Sequence, residues 1–158
     1  MADGERFLAR SAVFIVLRNA QGEVLLQRRY QTGYMDGRYD LPSGHVERGE
    51  KLLDAAVREL QEEVKVTVRP EDLQLWHVNQ FSAMNQDYYN FFFVVDTWQG
   101  EPQIGEPEKC DDVRFFALDD LPAMTPGTHM ALEHIHAEPV SFGFIDQAEY
   151  DRIVSLTK

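Results

Sequence analysis

The chain has 158 residues, of which 44% are apolar and 27% charged, and a net charge of −12. That length supports one domain, 1–158, with a sizeable core, and the acidic balance argues against a surface that grips a nucleic acid polymer or an anionic membrane. The longest uninterrupted apolar stretch, Ala12 to Leu17, is too short to span a bilayer, the N-terminus MADGERFLARS lacks a signal-peptide core, and one cysteine, Cys110, permits no internal disulfide and no thiolate zinc cage; the expectation is a cytoplasmic protein.

Two apolar runs, near 11–18 and 23–29, flank the turn-prone stretch at 19–22 and predict a β-hairpin. Residues 30–45 hold three glycines, a proline and two aspartates and read as a loop. From Lys51 to Val64, Leu53, Ala56, Val57, Leu60 and Val64 recur at spacings of three and four, which predicts a helix with one buried stripe. Its start carries Asp54 but no capping Ser, Thr or Asn. The aromatic segments 73–81 and 87–98 predict two strands, and 112–118 a shorter one. After a turn at Leu121-Pro122 a helix is expected over 127–137, and the tail 145–156 reads as helical. No repeat or linker interrupts this order.

Glu59, Glu62 and Glu63 stand in the i, i+3, i+4 relation, so they share one helical face beside the apolar stripe. Like charges at i, i+4 cost a helix about 0.2–0.5 kcal/mol, and carboxylates near its C-terminus oppose the macrodipole by a similar amount. Two readings fit. One is a solvated acidic face with Arg58 partly neutralising Glu62; the other is a set of hard oxygen donors for Mg²⁺ or Mn²⁺, which take carboxylates and share their remaining positions with phosphate oxygens.

The frame around the trio favours the second reading. Gly44, Glu50, Arg58-Glu59-Leu60, Glu62-Glu63 and Val66 fall at the spacing of the Nudix box, so residues 44–66 resemble that superfamily's signature, with the lead-in YDLPSGHVERGE similar to its approach loop. The departure is Lys65, where the pattern has glycine; Ser43 before Gly44 is a milder one. The resemblance implies an α/β/α sandwich with a mixed β-sheet between helices, and a Mg²⁺-dependent (or Mn²⁺-dependent) hydrolase of a nucleoside diphosphate linked to another group. It implies Glu59, Glu62, Glu63 and the carbonyl of Gly44 as metal ligands, Arg58 as the residue that orients them, and Glu50 as a further contributor near metal or substrate.

Outside the box, Glu108 is the first candidate for a proton acceptor, with Glu106 behind it. Arg28 and Arg29 leave the second strand toward the site. Neighbours on a strand point to opposite faces, so at most one of them is expected to meet phosphate. Phe81, Ser82, Ala83 and Met84 occupy the places where members that cleave ADP-ribose or dinucleoside polyphosphates carry Pro or Tyr. By elimination the chain is similar to small MutT-type pyrophosphatases, which release a nucleoside monophosphate and pyrophosphate. The alternatives are a catalytically silent nucleotide-sensing module and a hydrolase of a nucleotide sugar such as ADP-ribose. A small-molecule nucleotide is the implied partner, and the resemblance allows a homodimer. His129, His134 and His136, at i, i+5 and i+7, do not present three nitrogens together, and His45 is expected to face solvent.

Overall fold

Along β1 (Arg10–Leu17), Val13, Ile15 and Leu17 alternate with Ala12 and Val16, and all five are buried, so both faces of this strand are covered. The computed structural model describes residues 7–136, 138 and 140–156. β1 is followed by β2 (Val24–Arg29), β3 (Tyr39–Asp40), β4 (Ser43–His45), α1 (Leu52–Glu63), β5 (Gln74–Ala83), β6 (Gln86–Val95), β7 (Cys110–Phe116), α2 (Pro126–Glu133), β8 (Ser141–Asp146) and α3 (Gln147–Leu156).

The strands form two sheets. Five lie in the order β4-β1-β6-β5-β8, with β1 parallel to β6 and β8 parallel to β5, and three in the antiparallel order β3-β2-β7. The larger sheet is the mixed one. Val13, Ile15, Leu17 and Phe93 pack with Ala55, Ala56, Leu60 and Val64 of α1 on one side. On the other, Val16, Trp76 and Phe92 meet Ala131 and Leu132 of α2, and Ile145 of β8 meets Tyr150 and Ile153 of α3. This is the expected α/β/α layering. No helix among the described residues is long and apolar enough to cross a membrane.

Four local expectations change. β1 and β2 are joined by the predicted turn but bridge only at Arg18–Val24, then diverge into different sheets. The hairpin is absent because β1 takes a parallel partner from far along the chain, which turn chemistry does not report. The stretch read as a loop contains the short strands β3 and β4. The tail begins as β8 before the helix: Phe142 and Phe144 face out, while Gly143 lies where a Cβ would come within 2.6 Å of Met130 Sδ. The second predicted helix ends at Glu133, short of 137, and residue 137 lies outside the described residues.

Candidate active site

α1 ends where Lys65 turns the chain back with φ +60, a left-handed conformation that glycine adopts more readily. Its ammonium donates to the Glu62 carbonyl at 3.1 Å, and the Val66 N–H reaches Leu60 O at 3.4 Å. Lys65 therefore bears the strain, and the helix end keeps the left-handed turn that the pattern's glycine would make.

Arg58 ties the approach loop to this helix. Its guanidinium forks onto Glu50 at 2.9 and 3.0 Å, donates to His45 O at 3.0 Å and to Glu59 Oε1 at 2.6 Å, and reaches Glu62 Oε2 at 3.4 Å. Such a bidentate fork fixes orientation as well as charge. It holds the Glu50 carboxyl below the usual carboxylate range, with a further bond from Glu47 N. Glu50 is thus a brace for Arg58 in this structure.

Glu59 is nearly buried, its carboxylate laid flat against β4. A Cβ on Gly44 would stand 1.9 Å from Glu59 Oε1, so only glycine permits this approach. Glu63 accepts from Gln27 Nε2 at 2.6 Å and from Ser43 N at 2.8 Å. Burial pushes its carboxyl up to about 8 despite those two bonds, and the neighbouring Glu59 adds to the effect. Burial also raises Glu59, with Arg58 opposing. Gln27 was not singled out in the sequence; as the first of the three polar residues that end β2 it carried no distinctive signal.

The three carboxylates share a helix face but not one point. Glu62 is exposed and shares Arg58 with Glu59, while Gln27 and Ser43 N hold Glu63 separately. Among the described residues no three Asp, Glu, His or Cys side chains form a ready metal cage. The donor chemistry nevertheless fits a hard divalent cation: Glu59 and Glu63 are oxygen donors whose negative charge is penalised where they stand, and a dication would offset that penalty.

A later loop closes on the same helix end. Gly105 N donates to Glu63 O at 2.8 Å, and a Cβ at Gly105 would lie 2.0 Å from Glu62 O. Past this contact Glu106, held by Lys109 at 3.0 Å, comes within electrostatic reach of Glu59. Glu106 and Lys109 line a cavity of about 490 Å³, as do Glu63 and Gly44; Glu108 is exposed and outside that lining. Lys109 is a cation that the sequence reading did not select.

Arg28 and Arg29 both border the cavity, contrary to the strict alternation expected of strand neighbours. The pairing shifts register here, from Asp112 opposite Arg28 to Cys110 opposite Arg29, so the extra residue, Asp111, belongs to β7. Arg28 forks onto Asp111 at 2.7 and 3.0 Å. Arg29 donates to Tyr34 O, Thr32 Oγ1 and Asp40. Phe14, Phe81 and Tyr88 supply apolar walls. His45 is exposed as expected, 3.1 Å from the Tyr88 hydroxyl, and His134 stacks on buried His77 away from His129. Cys110 is buried and unpaired as a thiol.

Comparison with known proteins follows the same lines. The family model described as NUDIX domain matches residues 8–136. The chain is 31% identical over 109 residues to the 8-oxo-dGTP diphosphatase of Escherichia coli, covering 68% of this chain and 83% of that protein. It is 26% identical to the RNA pyrophosphohydrolase of Bartonella bacilliformis, across 86% and 95% of the two chains. The crystal structure of a MutT NUDIX hydrolase from Burkholderia pseudomallei superposes with a TM-score of 0.75 at 27% identity, covering 82% of this chain and 99% of that one.

Proposed function

The chain belongs to the NUDIX domain family, and from that premise we propose that it is a divalent-metal-dependent pyrophosphohydrolase of nucleoside triphosphates, releasing a nucleoside monophosphate and pyrophosphate. As a member it is a hydrolase of phosphorus-containing acid anhydrides. One observation supports the finer reading most: Glu63, at the acidic end of α1, is held by Gln27 and Ser43 N on the lining of a cavity that is of nucleotide size and bordered by cations.

In this reading Glu59, Glu62, Glu63 and the Gly44 carbonyl would hold Mg²⁺ or Mn²⁺, which supplies neutralisation of charge on the transferring phosphoryl group when bound. Arg58, braced by Glu50, keeps Glu59 from rotating. Arg28 and Lys109 draw the phosphate chain into the cavity. Water adds its oxygen to phosphorus, the anhydride P–O bond breaks, and pyrophosphate leaves. Glu106 Oε, on the cavity wall, takes the water's proton; Glu108 stands too far into solvent for that role.

The test is a panel of nucleoside triphosphates and nucleotide sugars incubated with Mg²⁺, with pyrophosphate and orthophosphate assayed separately. Pyrophosphate release from triphosphates is expected, falling roughly 100-fold or more in Glu63→Gln. A protein that binds nucleotide calorimetrically yet never consumes it would instead be a sensing module, and cleavage confined to ADP-ribose would move the assignment to nucleotide sugars.

A further inference from the structure

Midway along the β5–β6 ladder, Asn79 and Asn90 stand directly opposite each other, 0% and 7% exposed. Asn90 Nδ2 donates to Asn79 Oδ1 at 3.0 Å. Asn79 Nδ2 finds no partner, and among the described residues nothing donates to Asn90 Oδ1. Their neighbours on this face are mostly apolar: Ala12 is the rung beside Asn90, and Phe81 and Phe92 lie one rung away, with buried His77 paired to Phe92. Two apolar side chains would serve such a sheet better, because a buried amide left short of partners is penalised. A half-satisfied polar pair in a core therefore calls for a reason beyond packing.

The cavity supplies one. Asn90 lines it together with Phe14, Phe81 and Tyr88, whose ring faces suit a flat heterocycle. Gly127 of α2 lines it too, and even a Cβ there would be 4.0 Å from Asn79 Nδ2, so at this position the helix brings only backbone toward the pair. Asp40 lines the same cavity from the smaller sheet. Its Oδ1 accepts from Thr125, Thr128 and Leu41 N, while Oδ2 accepts from Arg29 at 3.4 Å. Glu63 lies on this cavity's lining as well, so a nucleotide with its phosphates at α1 has room for its base here.

We propose that the Asn79–Asn90 pair is the specificity-determining element of the site and reads the nucleobase, a proposal that rests on the nucleotide reading above. A carboxamide offers an acceptor and a donor side by side, the complement of a base edge on which an amine adjoins a ring nitrogen. With Asn90 Oδ1 open as an acceptor, the pair selects bases that carry an exocyclic amine over those that carry a carbonyl in its place. Asn79 acts by pinning the Asn90 amide in that orientation.

Adenosine monophosphate and inosine monophosphate differ at that position and need no turnover to be compared. Calorimetric titration of the full chain with each is expected to show about tenfold tighter binding of the amine-bearing nucleotide. Asn90→Leu brings the ratio to near one. The double variant Asn79→Leu/Asn90→Leu also loses the discrimination but melts at or above the wild-type temperature, since an apolar pair replaces a poorly satisfied polar one. Equal affinity for both nucleotides in the wild type, or no binding of either, overturns the proposal. So does a double variant that melts lower yet keeps the preference, which would make the pair structural. Loss of the hydrolytic reading shows separately, as intact discrimination without pyrophosphate release.

Discussion

At the scale of single residues, the site is built by two positions that answer opposite steric demands. Gly44 gives way so that Glu59 can lie against β4, whereas Lys65 keeps a side chain where the backbone has φ +60. The left-handed conformation costs a non-glycine residue roughly 1–2 kcal/mol. Against that, the Lys65 ammonium on the Glu62 carbonyl returns about 0.3–1 kcal/mol at the negative end of the helix. Lys65→Gly is therefore expected to stabilise the protein by about 0.5–1 kcal/mol, read as a higher denaturant midpoint with an unchanged slope. A lower midpoint would mean that the ammonium outweighs the strain. The departure from the box glycine was plain in the sequence, but whether the chain absorbed it by strain or by a different helix end was not. That choice depends on Val66, which must fold back to bury in the core beneath α1.

At the scale of elements, the loop that carries Glu106 depends on one backbone approach. Gly105 rests on the carbonyl end of α1, and the loop's direction beyond it sets Glu106 on the cavity and Glu108 in solvent. Gly105→Ala places a methyl group 2.0 Å from Glu62 O. The loop must then lift, with an expected loss of about 1–3 kcal/mol in stability and roughly 100-fold in kcat/KM as Glu106 is displaced. A folded Gly105→Ala protein with wild-type kinetics would remove the loop from the chemistry. Sequence alone ranked Glu108 ahead of Glu106 because nothing local tells which acid of a mixed loop faces inward. α1 was legible almost to the residue, since its signals are spacing and composition within one segment. The strands β5 and β6 were legible as strands to within about three residues, but not the hairpin that joins them through Met84 and Asn85 at φ +52 and +57. The parallel pairings of β1 with β6 and of β5 with β8 were not legible, because their partners lie far apart in the chain and no turn links them. The Arg28–Arg29 register shift was hidden for a related reason: it is set by β7, not by β2 itself.

At the scale of the whole molecule, the cavity joins both sheets and α2, with Asn90 from the larger sheet, Gln27 from the smaller and Gly127 from the helix all on its lining. A ligand held there stabilises the entire fold by mass action, about 2.7 kcal/mol at a hundredfold excess over Kd. For a chain of this size that corresponds to roughly 5–10 °C in Tm. The Glu63 carboxyl makes this increment depend on pH. Raised from 4.5 to about 8, it carries more protons folded than unfolded between those values, so the metal-free protein loses stability as pH rises through that window. A divalent cation needs ionised donors, and its binding must release that proton. The Tm gain from Mg²⁺ with a non-hydrolysable nucleotide should therefore grow from about pH 5 upward and level off near pH 8. Glu63→Gln should melt above the wild type at the alkaline end without metal, because no buried charge forms, and its smaller gain should not vary over the same range. Scanning calorimetry across that window with and without chelator measures both arms. A wild-type gain that is flat with pH would place the bound cation away from Glu63 and return the acidic end of α1 to a purely structural part of the fold.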